Sequence, residues 1–131
     1  RLANVCFLPL QPQQKLNQLL NLADIHLLPQ KPEAADLVMP SKLTGIFASG
    51  KPVIAIADPG TEMGRIVNGR GMIVKPGDIQ GFANAIVALA DQPNEREKIG
   101  RAGRTYAVEL LDKNRILTQF ETTLKDFVST Q

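Results

Sequence analysis

An uninterrupted apolar run, Val53-Ile54-Ala55-Ile56-Ala57, is bounded by Gly50-Lys51-Pro52 on one side and Asp58-Pro59-Gly60 on the other. An apolar run of that length, closed by turn residues, predicts a buried strand. The β-rich run at 5–8 and the stretches at 24–29 and 72–74 predict three more strands. Between them the period changes. Leu16, Leu19, Leu20 and Leu22 have the spacing of an amphipathic helix, and a short helix is expected over 42–49. Thr61 is a candidate N-cap for another over 62–67. After Pro76-Gly77-Asp78, a turn plus cap, Ile79, Phe82, Ile86, Val87, Leu89 and Ala90 fall on one side of a helix that stops near 91–93. The rest is helical: one helix over 95–111, despite Gly100 and Gly103, and one over 115–128 with Ile116, Leu117, Phe120, Leu124 and Phe127 on its apolar face.

Strands alternating with helices predict a parallel sheet flanked by helices on both faces, joined by right-handed crossovers. The fold class is therefore α/β, a Rossmann-like half. A length of 131 residues fits one domain and is short for an enzyme that closes over two substrates. Hydrophobic content of 44% with 21% charge is that of a globular domain, and no apolar run approaches the roughly 20 residues that span a bilayer. A net charge of +2, interleaved signs and 5% aromatics supply neither the basic face nor the stacking platform of a nucleic-acid binder. The single cysteine, Cys6, lies in Val5-Cys6-Phe7-Leu8 and is expected to be a buried strand residue. No cysteine–histidine metal spacing, nucleophile elbow or glycine-rich dinucleotide fingerprint occurs, which counts against a dehydrogenase, hydrolase or kinase.

The candidate chemistry lies where Pro40-Ser41-Lys42 opens a helix before the Gly-Lys-Pro turn and its strand. That order places a helix N-terminus just beyond the carboxyl ends of parallel strands, where open α/β sheets hold their ligands. Free N–H groups and the helix dipole favour a phosphate there. Lys42 falls in the first turn, where a cation is disfavoured by roughly 0.3–1 kcal/mol. Either a bound diphosphate supplies negative charge in front of it or the side chain reaches into solvent, and the residues leave both readings open. Ser41 can cap the helix through its hydroxyl, leave its N–H facing an anion, or do both. His26, the one histidine, sits among leucines and reads as structural.

Several stretches carry a resemblance. Asn4-Val5-Cys6-Phe7-Leu8-Pro9, Asn21-Leu22-Ala23-Asp24-Ile25-His26-Leu27-Leu28-Pro29, Ala48-Ser49-Gly50-Lys51-Pro52-Val53-Ile54-Ala55 and Arg70-Gly71-Met72-Ile73-Val74-Lys75-Pro76-Gly77-Asp78 stand in order and spacing. Together they resemble the C-terminal, donor-binding lobe of a retaining GT-B glycosyltransferase that uses nucleotide-sugar donors. Met39-Pro40-Ser41-Lys42-Leu43 is similar to the branch that builds bacterial exopolysaccharide and O-antigen repeats, colanic-acid fucosyltransferase-like enzymes included. One departure is clear: the family's paired glutamates would fall at Leu37 and Gly45, so neither is in register.

The resemblance implies that Pro40, Ser41, Lys42 and Leu43 hold the donor diphosphate, and that Gly60, Thr61 and Glu62 border the nucleoside or sugar. Glu62 would also be stabilised simply by lying in a helix first turn. Glu33 and Asp36, in the polar loop before Pro40, are further candidates for the sugar contact. Residues 1–112 would form the donor lobe, truncated at its N-terminal end, and 113–131 a helix packing toward an acceptor lobe. That lobe, with a further basic pair for the phosphates, would precede Arg1, so the chain alone is expected to be inactive. The implied partners are a nucleotide-sugar donor and a saccharide or lipid-linked acceptor. No cofactor or metal is implied, since the nucleotide-sugar is itself the substrate, and the catalytic residues are not assigned. The implied location is the cytoplasm, with the inner membrane surface as a station for the longer protein. The rivals are a nucleotide-sugar epimerase of the same fold and a non-catalytic nucleotide-binding or oligomerising module.

Overall fold

The computed structural model describes residues 2–29 and 41–129. After a 3₁₀ turn at Gln13–Lys15 the elements run α1 (Leu16–Leu22), β1 (His26–Leu28), α2 (Ser41–Ser49), β2 (Val53–Ile56), α3 (Glu62–Val67), β3 (Met72–Val74), α4 (Ile79–Asp91), α5 (Pro93–Leu110) and α6 (Lys113–Ser129). The described strands form one parallel sheet in the order β1-β2-β3, with Leu28 opposite Ala55 and Ile56 opposite Val74.

β2 is central, and its residues point alternately to two buried layers. Val53, Ala55 and Ala57 join Leu28, Leu43, Phe47, Met63 and Val67 on the side covered by α2 and α3. Ile54 joins Val74, Ala85 and Leu89 on the side covered by α4. The helix α5 serves both layers, contributing Ala107 to the first and Ile99 to the edge of the second. Rossmann-like layering of helices on both faces follows from that double burial.

The helices α2 and α5 approach very closely. A Cβ on Gly100 would collide with the Gly50 carbonyl oxygen, and one on Gly103 would stand 2.8 Å from Phe47 Cδ1. The two glycines that lower helix propensity are thus the ones the packing requires. Gly50 turns the chain out of α2 at φ 72° and donates its N–H to the Phe47 carbonyl at 3.0 Å. Arginines close the helix ends. Arg104 donates to Ala48 O at the end of α2, and Arg96 donates to Leu89 O and Ala90 O at the end of α4. Tyr106 is edge-on to Phe47, centroids 5.8 Å apart, and the Arg70 guanidinium lies 4.3 Å over its ring, which ties the turn before β3 to α5.

Three expectations change. Residues 5–8 form no strand, because among the described residues no ladder partner pairs with them; Phe7 and Leu8 are exposed, and so is Cys6. In α4, Ile79 and Val87 are exposed and Ala85 takes the buried position instead. The fifth helix starts at Pro93, two residues earlier than expected, since proline suits a helix first turn.

All five apolar residues of the α6 face are at least 47% exposed, and α6 buries no residue. Gly100→Ala is therefore expected to lower the unfolding free energy by roughly 1–3 kcal/mol, as overpacking does. Phe120→Ala, on α6, is expected to change it by less than about 0.5 kcal/mol. Urea melts of both variants against the parent check the contrast.

Candidate functional site

Because β1, β2 and β3 are parallel, their carboxyl ends, Leu28, Ile56 and Val74, lie along one edge of the sheet. The segments leaving β2 and β3 at that edge open α3 and α4 directly. The N-terminus of α2 belongs there too. Its last turn ends at Gly50, just before β2 begins at Val53 on the opposite edge, and its nine residues rise about 13 Å, the length of a four-residue strand. Leu43 in its first turn and Met63 in the first turn of α3 are both buried in the same core layer.

The structure thus brings Ser41, Lys42 and Leu43 to the same edge as Gly60, Thr61 and Glu62. Leu43 faces the core and anchors the turn, while Ser41 and Lys42 are exposed. Gly60 and Glu62 are exposed and Thr61 is half-buried. Lys42 and Glu62 form no ion pair among the described residues; the three pairs found, Lys98–Glu95, Arg101–Glu97 and Lys125–Glu121, lie on α5 and α6. Pro40, Glu33 and Asp36 lie outside the described residues. Gly45, where the resemblance would place a glutamate, faces α1: a Cβ there would stand 3.2 Å from Leu20 Cδ1.

The segment 58–62 is held by converging hydrogen bonds. Asp58 O accepts from the Thr61 N–H at 3.0 Å and from the Thr61 hydroxyl at 2.7 Å. Thr61 Oγ1 in turn accepts from the Gly64 N–H at 3.1 Å, capping α3 as its position suggested. Arg65 reaches back along α3 and donates from Nη1 to Gly60 O at 2.7 Å. Gly64 is buried beneath, where any Cβ would collide with Asp58 O. Gly64 and Arg65 were missed in the sequence; the Thr-x-x-Gly spacing behind an Asp-Pro-Gly turn was the available signal. Asp78 caps α4 by accepting from the Gly81 N–H at 2.8 Å, a structural role.

His26 is at the start of β1, on the amino edge and away from this site. Its Nε2 is 3.0 Å from the Leu20 carbonyl oxygen, which makes the neutral Nε2–H tautomer a tie between α1 and the sheet. A groove of about 460 Å³ at the start of β3, lined by Gly71, Met72, Leu89 and Lys98, also lies at the amino edge. Among the described residues no cluster of His, Cys, Asp and Glu could hold a metal ion, and no helix is long and apolar enough to cross a membrane.

A parallel sheet with helices on both faces and helix N-termini at its carboxyl edge is a Rossmann-like α/β half. Comparison with known proteins names the family. Residues 2–106 match the family "Glycosyl transferases group 1", and the chain belongs to it. It is 38% identical over 122 residues to WcaI of Escherichia coli (strain K12), provisionally named a colanic acid biosynthesis glycosyl transferase; the match takes in 91% of this chain and 29% of that relative. The chain therefore spans less than a third of the relative's length. No solved structure matches it.

Burial lowers the pKa of His26, the Leu20 carbonyl opposing that shift and the nearby Lys51 charge adding to it. A folded imidazole that resists protonation leaves the unfolded chain binding more protons once the pH falls through the usual histidine range near 6.5. Stability from this group is fully present above that pH and declines as the pH drops toward the lowered folded value. Urea midpoints of the parent should fall between pH 7.5 and 5.5, and His26→Gln should lessen that fall.

Proposed function

We propose that this chain is the donor-binding part of a glycosyltransferase that moves a sugar from a nucleotide-sugar to a saccharide or lipid-linked acceptor in bacterial surface polysaccharide synthesis, with retention at the anomeric carbon. The observation that carries the reading is the shared edge: the first turn of α2 and the 58–62 segment open side by side beyond the carboxyl ends of β1 and β2, with Lys42 and Glu62 exposed. Membership of the glycosyl transferase group 1 family and the likeness to WcaI support the reaction class.

In this reading the amides of Ser41–Leu43 and the Lys42 ammonium face the donor diphosphate, and Pro40 stays a candidate for the same contact. They stabilise the charge that grows on the leaving phosphate as the glycosidic bond breaks, an electrostatic role that needs no nucleophile from this half. Gly60, Thr61 and Glu62 border the nucleoside or sugar, and Glu33 and Asp36 stay candidates for the hydroxyls. The nucleotide-sugar is the substrate, with no separate cofactor. The acceptor site comes from another part of a longer, cytoplasmic protein, and the uncovered face of α6 packs toward it.

Lys42→Ala should weaken binding of nucleoside diphosphates by roughly 1.5–3 kcal/mol, as loss of a charged hydrogen bond does. Stability should stay nearly unchanged, because a first-turn cation gives the helix nothing. Parent affinity should fall with added salt. Ligand-detected NMR against UDP, GDP and ADP checks this, and equal binding by Lys42→Ala and parent overturns the assignment. The chain alone should transfer no sugar.

A further inference from the structure

Arg65 holds the 58–62 segment together with Thr61 and Gly64. An arginine three positions after a glutamate on a helix is placed to pair with it. Here it does not: the guanidinium donates to the Gly60 carbonyl at 2.7 Å, and the Glu62 carboxylate makes no hydrogen bond or ion pair among the described residues. The choice follows from the turn. Gly64 lets Asp58 and Pro59 lie directly on α3, and the Thr61 hydroxyl binds both Asp58 O and the Gly64 N–H. These bonds aim the Gly60 carbonyl back along the helix, within reach of a side chain one turn on. That carbonyl belongs to an exposed glycine, free of side-chain restraint, so the Arg65 bond adds to the Asp58–Thr61 turn bonds a restraint on the tip itself. A bidentate-capable guanidinium suits this clamp because it spans the turn with a rigid, charged donor.

We propose that Arg65 is a positioning residue of the donor site, locking the tip of the 58–62 segment through Gly60 and leaving the Glu62 carboxylate free to accept hydrogen bonds from donor hydroxyls. This rests on the donor-site reading above. Arg65 acts through Glu62 and the turn, and makes no contact with the phosphates.

The probes are UDP, GDP, ADP and inorganic pyrophosphate, titrated by calorimetry into the chain and its variants. Pyrophosphate carries the charge of the diphosphate and no hydroxyls of a sugar, so it separates the two ends of the site. Arg65→Gln is expected to weaken the preferred nucleotide about fivefold to tenfold and to leave pyrophosphate unchanged. Glu62→Gln should do the same. The double variant should bind no more weakly than either single variant, since two residues acting as one unit are not additive. Arg65→Lys, which keeps a charged donor, should recover part of the loss. Thermal melts of all four variants monitor folding, and Arg65→Lys carries the comparison if Arg65→Gln unfolds. Fully additive losses, an equal loss of pyrophosphate affinity, or no loss at all would overturn the role of Arg65 while Lys42→Ala sensitivity still upheld the donor site. A parent that binds none of the four probes would overturn both.

Discussion

Burial of β2 on both faces is the constraint on which the rest depends. Val53, Ile54, Ala55 and Ala57 have no exposed surface, and β2 is hydrogen-bonded to a neighbour on each side. A strand in that position cannot turn its backbone or its side chains to water, so helices must cover both layers and the connections must cross from one edge of the sheet to the other. Every functional consequence follows from that crossing. It sends the segments after β1, β2 and β3 to one edge and the segments before them to the opposite one.

The helices meet that demand by close contact rather than by bulk. Gly100 and Gly103 cut a notch in α5 into which Gly50 and Phe47 fit, and Arg96 and Arg104 satisfy carbonyls at the ends of α4 and α2 that a buried helix terminus would otherwise leave unpaired. Polar closure at the amino edge contrasts with the carboxyl edge. There Ser41, Lys42 and Glu62 are exposed at or beside helix first turns.

At that open edge, rigidity comes from very few groups. Thr61, Gly64 and Arg65 hold a segment whose exposed residues, Asp58, Pro59 and Gly60, have little packing of their own. Such a segment can present a carboxylate at a fixed position while burying almost nothing, an arrangement that suits recognition of a polar ligand.

Much of this was legible along the chain. The apolar run of β2, the cap at Thr61, the cap at Asp78 and the order of strands and helices all express local rules, namely side-chain period, hydroxyl or carboxylate capping and turn chemistry, and these act within a few residues. The opening of α2 at Ser41-Lys42 could be placed beside the 58–62 segment because parallel topology alone puts both at one edge. Other features were decided only in three dimensions. Residues 5–8 have strand-like composition, yet a strand exists only through a partner's ladder, and none of the described residues supplies it. Ile79 and Val87 fit a helical apolar stripe, but only its Phe82, Ile86 and Leu89 meet the second layer, joined by Ala85, because period alone does not say how far around α4 the sheet contact reaches. Gly100 and Gly103 looked like flaws in a helix because propensity is local, whereas their purpose is a contact with residues some 50 positions away. Arg65 carried no signal of its own along the chain, and only the folded turn gave it the Gly60 carbonyl as acceptor, while pairing with an exposed carboxylate one turn away is worth little.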